Sequence, residues 1–122
     1  MSSHISLGVW TLVSVVALCG LAEARPLSVR ESYPAAEMIV DGRNAQYIVR
    51  FDGWIDHAVS RLEVTANDKI IKTLVPSRDS EPDVLASSAP VLAAGRYQLH
   101  WHVKSASDGD FSDGFIPFTV AR

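Results

Sequence analysis

The clearest pattern in the chain is an alternation of apolar and polar positions in its C-terminal half. After Gly95, the residues Tyr97, Leu99, Trp101 and Val103 share one side, while Gln98, His100, His102 and Lys104 share the other. This is the period-2 signature of a β-strand with one buried face, and it makes Trp101 a core residue. Ala45, Tyr47, Val49 and Phe51 alternate in the same way with Gln46, Ile48 and Arg50, and Ser60, Leu62, Val64 and Ala66 repeat the pattern. Asn67 and Asp68 supply a turn, so Lys69 to Val75, rich in β-branched residues, reads as the return strand of a hairpin. Pro76 to Asp83 is a polar loop and Ser105 to Gly114 a turn-rich acidic one. Ile116, Phe118 and Val120 then give a last strand. Pro117 points the other way and has no N–H for a ladder, which predicts an edge strand or a bulge. Beyond residue 24 no window of ten or more residues has helical periodicity. Short strands separated by turns predict an all-β, two-sheet sandwich.

The first 24 residues follow another rule. Ile5 to Ala22 is almost wholly apolar and ends in the A-x-A pattern of Ala22 and Ala24, which predicts a secretory signal peptide over 1–24 and a single mature domain over 25–122. The segment before it, Met1 to His4, has no Lys or Arg, and the apolar run is about long enough to span a bilayer, so an uncleaved anchor is the alternative. A lipoprotein reading around Cys19 is weaker, because bulky Leu18 stands where a small residue is expected. Cleavage removes Cys19, the only cysteine, and leaves a domain without disulfides whose stability must come from packing. The bacterial periplasm is the compartment expected. The mature chain has 11 bases against 13 acids. That balance gives no sign of nucleic-acid binding.

Four stretches resemble one family in order along the chain. F-D-G-W-I-D-H-A-V-S-R-L-E-V (Phe51 to Val64), A-A-G-R-Y-Q-L-H-W-H-V-K-S-A-S-D-G-D (Ala93 to Asp110), Gly114 with F-I-P-F-T-V (Phe115 to Val120), and S-Y-P-A (Ser32 to Ala35) are similar to successive motifs of the CopC copper-resistance family. The resemblance implies an Ig-like Greek-key β-sandwich or barrel of about seven strands. It also implies a periplasmic location and a role in copper binding, transport or resistance, with a periplasmic or inner-membrane copper-handling protein as partner. At three positions where the family carries copper ligands the chain departs from it. The N-terminal histidine aligns with Pro26, preceded by Arg25; a glutamate aligns with Gly53; and the histidine of D-G-H aligns with Asp110. The Met-rich Cu(I) loop of some members has no counterpart, since Met38 is the only methionine after residue 24.

Other residues offer metal-binding chemistry. His100 and His102 stand two residues apart on one strand face, roughly 7 Å between Cα atoms, a spacing that can chelate a metal if a neighbouring strand adds a third donor. The plainer alternative is a solvated pair. Asp108, Asp110 and Asp113 form an acidic loop that, by the resemblance, lies near Asp52, Asp56 and His57; together these could replace the lost ligands, or could be ordinary Asp/Gly turn residues. Arg25 or Arg30 could instead pair with Asp110. Trp54, beside Gly53, either anchors a partner or folds over its own loop. No nucleophile with a matched base, phosphate loop or spaced carboxylate pair is present, so no enzyme activity is expected. Two functions follow: copper handling through an altered, weaker site, or a metal-free sandwich serving as a protein interaction module.

Overall fold

Eight strands and no helix make up residues 26–41 and 46–121, the part of the chain described by its computed structural model. The strands are β1 (Val29–Tyr33), β2 (Met38–Asp41), β3 (Gln46–Phe51), β4 (Arg61–Ala66), β5 (Lys69–Leu74), β6 (Val84–Ser88), β7 (Gly95–Lys104) and β8 (Phe111–Ala121). The expected signal segment, its cleavage site, Cys19, Arg25 and Ala45 lie outside the described residues.

The strands form two sheets, β1-β3-β6 and β2-β8-β7-β4-β5. All neighbours are antiparallel except β2, which runs parallel to β8. The alternation read in the sequence decides which side chains meet between the sheets. Tyr47, Val49 and Phe51 of β3 face Leu62 and Val64 of β4, Leu99, Trp101 and Val103 of β7, and Ile116, Phe118 and Val120 of β8 in one buried cluster. Edge-to-face pairs tie the sheets together, Phe51 to Trp101 at 5.2 Å and Tyr47 to Phe118 at 5.7 Å between centroids. Trp101 is 8% exposed, as its phase required. Its ring lies where a side chain on its cross-strand partner would be: a Cβ on Gly114 would come within 2.5 Å of Trp101 Cζ2.

The expected hairpin is β4–β5, and its turn has a physical reason. Asn67 and Asp68 both have positive φ, 52° and 63°, the pair of left-handed residues that a two-residue hairpin loop requires. β5 has an irregular register against β4 between Val64 and Thr65, and it is exposed over all but its last residue, leaving Ile70 and Ile71 at the surface.

Two expectations are corrected. The acidic loop ends at Asp110, and Phe111 to Gly114 already belong to β8, so Asp113 is a strand residue paired with His102. Pro117 does not mark an edge strand, because β8 lies between β2 and β7. Its carbonyl accepts the Glu37 N–H at 2.7 Å. The N–H and C=O of one strand residue point the same way, so the missing donor faces the side where β2 begins opposite Phe118 and leaves the β7 ladder intact.

Candidate metal centre

The outward side of the five-stranded sheet carries the imidazoles. His100 is flanked across the ladders by Glu63 on β4 and Phe115 on β8, and His102 by Arg61 and Asp113. Because the β7 backbone is hydrogen-bonded on both sides, these side chains are free to interact with one another. Glu63 Oε1 lies 3.1 Å from His100 Nδ1 and Asp113 Oδ2 lies 3.0 Å from Nε2. Phe115 stacks on the His100 ring at 4.4 Å and 12°. His102 leans on Phe111 at 5.4 Å and sits 6.4 Å from His100, centroid to centroid. One donor atom each from His100, His102 and Asp113 can be chosen so that all lie within 4.8 Å of one another.

The loop end is arranged differently. The 105–110 loop does pack on the 54–56 segment: Ala106 N–H donates to the Trp54 carbonyl, Asp56 N–H to the Lys104 carbonyl, and Ile55 bridges Ser105. Its carboxylates, however, serve the backbone. Asp108 Oδ1 accepts from Asp110 N–H at 2.9 Å, Asp56 Oδ1 from Ala58 N–H at 3.1 Å and Asp52 Oδ1 from Ser28 N–H at 3.0 Å. His57 turns away from this group, with Nε2 2.7 Å from the Val84 carbonyl and 3.2 Å from Ser80 Oγ. Gly53 is covered, since a Cβ there would meet Leu27 Cδ2 at 2.7 Å. Trp54 is 69% exposed, so it does not fold over its own loop.

Of the candidates named from the sequence, His100 and His102 come together and are joined by Asp113, which the sequence pattern groups with the loop, while Asp108 and Asp110 remain in the loop beyond the end of β7. Glu63 and the two phenylalanines went unnoticed in the sequence. Glu63 sits between the inward positions Leu62 and Val64, which gave its outward direction, but not its register opposite His100.

Two ionisable groups elsewhere are displaced by their surroundings. Burial, reinforced by the phenols of Tyr33 and Tyr97, pushes Tyr47 up to about 12. Arg50, on the outward side of β3, is held more firmly in its charged form by hydrogen bonds to Glu81 and Asp83. It meets both Asp83 oxygens at 2.9 Å and so fastens the 81–83 corner to the smaller sheet.

A search of curated proteins finds no match. Among solved structures the chain is similar to CopC from Methylosinus trichosporium OB3b, at 27% identity and a TM-score of 0.68 over 77% of this chain and 92% of that one. It also shares its fold with PcoC, a methionine-rich copper resistance protein from Escherichia coli, at 18% identity and a TM-score of 0.63 over 80% of this chain and 100% of that one. The CopC domain family model matches residues 29–121, which include both sheets, and on that match the chain belongs to the CopC family.

Proposed function

We propose that the protein is an exported, periplasmic copper-binding member of its family that takes up Cu(II) away from the inherited ligand positions, using the imidazoles of His100 and His102. The observation that carries this reading is the pairing of a family match over 29–121 with two outward imidazoles on β7, in a chain whose aligned positions are Pro26, Gly53 and Asp110. Imidazole is a good donor to Cu(II), whereas Cu(I) prefers thiolate or thioether. Export is supported by the apolar run and A-x-A pattern ahead of Arg25. The role is carriage of an ion, with copper as cargo and a periplasmic or inner-membrane copper-handling protein as its source or recipient.

Titrating the purified protein with Cu(II) and Cu(I) tests the reading. Stoichiometric Cu(II) uptake, weaker than in relatives with the terminal histidine, is expected, with Cu(I) not retained. Failure to bind either ion selects the second reading, a metal-free interaction module. That reading is favoured by one observation, the indole of Trp54 standing in solvent beside Gly53.

A further inference from the structure

His100 has a carboxylate oxygen at each ring nitrogen, Glu63 at 3.1 Å and Asp113 at 3.0 Å. A neutral imidazole carries one N–H and can donate to only one of them. The other nitrogen then turns its lone pair toward a carboxylate oxygen, and the two repel unless a positive charge lies between them. That charge is a second proton, which makes the ring an imidazolium that donates to both, or a metal ion that takes the proton's place. Exposure decides which side takes the N–H. The Glu63 side chain is 16% exposed and that of Asp113 55%. The more buried carboxylate has less water to satisfy it, so Nδ1–H is directed to Glu63 and the Nε2 lone pair to Asp113.

The gap beside Nε2 has the dimensions of a metal site. Nitrogen and oxygen donors stand about 2.0–2.2 Å from Zn(II). Two such donors at right angles are about 3 Å apart, and no two can exceed about 4.4 Å. The 3.0 Å between His100 Nε2 and Asp113 Oδ2 fits the first figure. One donor atom from each of the three residues lies within 4.8 Å of the others, a few tenths of an ångström above the second figure, so small side-chain rotations would close the set round an ion. The Phe115 face fixes the plane of the His100 ring, so little ordering remains to be done on binding.

We propose that His100 Nε2, His102 and Asp113 form a site for a borderline divalent cation, and that Glu63 is a positioning residue that holds Nδ1–H and so aims Nε2 at the ion. Its identification with copper rests on the function proposed above; the donor geometry does not. Two nitrogens and one oxygen suit Cu(II) and Zn(II) and give Cu(I) no soft donor. Three protein donors leave a coordination position open to water or to a ligand of a receiving protein. Arg61 and Lys104 share this face of the sheet and oppose the ion's charge, which keeps the affinity moderate and the ion exchangeable.

The test uses the purified protein with Zn(II) and Cu(II) as separate probes, followed by calorimetry and by the ring-nitrogen NMR signals of His100. One equivalent of each ion is expected, competing for the same place. His102→Ala and Asp113→Asn should each weaken uptake tenfold or more. Glu63→Ala should weaken it 10–100-fold, the range for loss of a residue that orients a metal-bound histidine, and Glu63→Gln, which keeps an acceptor oxygen, should recover most of that. In the metal-free protein the neutral His100 ring should carry its proton on Nδ1, and Glu63→Ala should move it. Asp113→Asn is close to isosteric at an exposed position, so a folded variant is expected even if His102→Ala is poorly behaved. Cu(II) uptake undiminished in the Asp113→Asn and His102→Ala double variant overturns the site and leaves copper binding standing, but through donors other than this pair of imidazoles. Zn(II) uptake with the stated variant pattern and no competition from Cu(II) supports the site and overturns the copper function. A neutral His100 ring with its proton on Nε2 instead of Nδ1, or no uptake of either ion, overturns the site.

Discussion

At the loop end of the sandwich, Asp52, Asp56 and Asp108 turn their carboxylates onto backbone N–H groups; on the outer face of the five-stranded sheet, Glu63 and Asp113 turn theirs onto His100. The contrast comes from the backbone. A loop has N–H groups with no ladder partner, and nearby aspartates are the groups that satisfy them. A central strand such as β7 has its backbone satisfied from both sides, so its side chains are left to meet those of β4 and β8 at fixed spacing. In this chain the carboxylates of the loop end serve its own backbone, while those of β4 and β8 meet an imidazole on the sheet, where the proposed site lies.

The largest expected effect tests how far that rigidity depends on the core. Trp101 lies between His100 and His102 in sequence and faces the opposite way, into the cluster with Phe51. Trp101→Ala should cost about 3 to 5 kcal/mol in denaturant unfolding, through lost burial and the cavity left behind. A loss under ~1 kcal/mol would show that the outer face does not depend on it.

Raising the pH should weaken the same core by another route. Tyr47 is 2% exposed and its proton is held up to about 12, against 10.0 in the unfolded chain. The folded pKa is the higher one, so this contribution is complete below pH 10 and is lost as pH rises through about 12. Two units correspond to about 2 to 3 kcal/mol. Unfolding free energies measured from pH 9 to 12 should fall by that order in the wild type and fall less in Tyr47→Phe.

Gly114→Ala, smaller again, places a Cβ 2.5 Å from Trp101 Cζ2. It should cost about 1 to 3 kcal/mol by overpacking. The change lies next to Asp113, so it should also weaken Cu(II) uptake, whereas an equal destabilisation made at the loop end should not.

The smallest effect on stability sharpens the comparison most. Asp108→Asn with Asp110→Asn should alter stability by no more than about 0.5 kcal/mol and leave Cu(II) titrations unchanged. His100→Ala with His102→Ala should abolish those titrations. The reverse pattern would return the site to the loop end.

The sequence made the facing of β3, β4 and β7 legible, because each has one buried and one solvated face. β6 was missed for the opposite reason: Val84, Leu85, Ala86 and Ser87 are all buried, so nothing alternates. The boundary of β8 was misjudged because Ser112, Asp113 and Gly114 are turn-forming residues. Asp113 faces solvent as polar strand residues do, and Gly114 is needed under Trp101, so neither residue signals a loop in this context. Half the candidate centre was visible, since His100 and His102 share a strand. Glu63 and Asp113 reach it through the registers of β4 and β8 against β7, set by long-range pairing that no local pattern encodes.

The placement of the two described tryptophans has an optical consequence. Trp101 is buried and Trp54 is in solvent, so their emission should separate into a blue and a red component. An ion held by His100 and His102 would sit one backbone away from the Trp101 indole, whereas Trp54 stands beyond the end of β7, its carbonyl accepting from Ala106 N–H. Paramagnetic Cu(II) on that face should quench the blue component first, while closed-shell Zn(II) leaves it nearly unchanged. The two indoles would thus report which region of the surface takes up added metal.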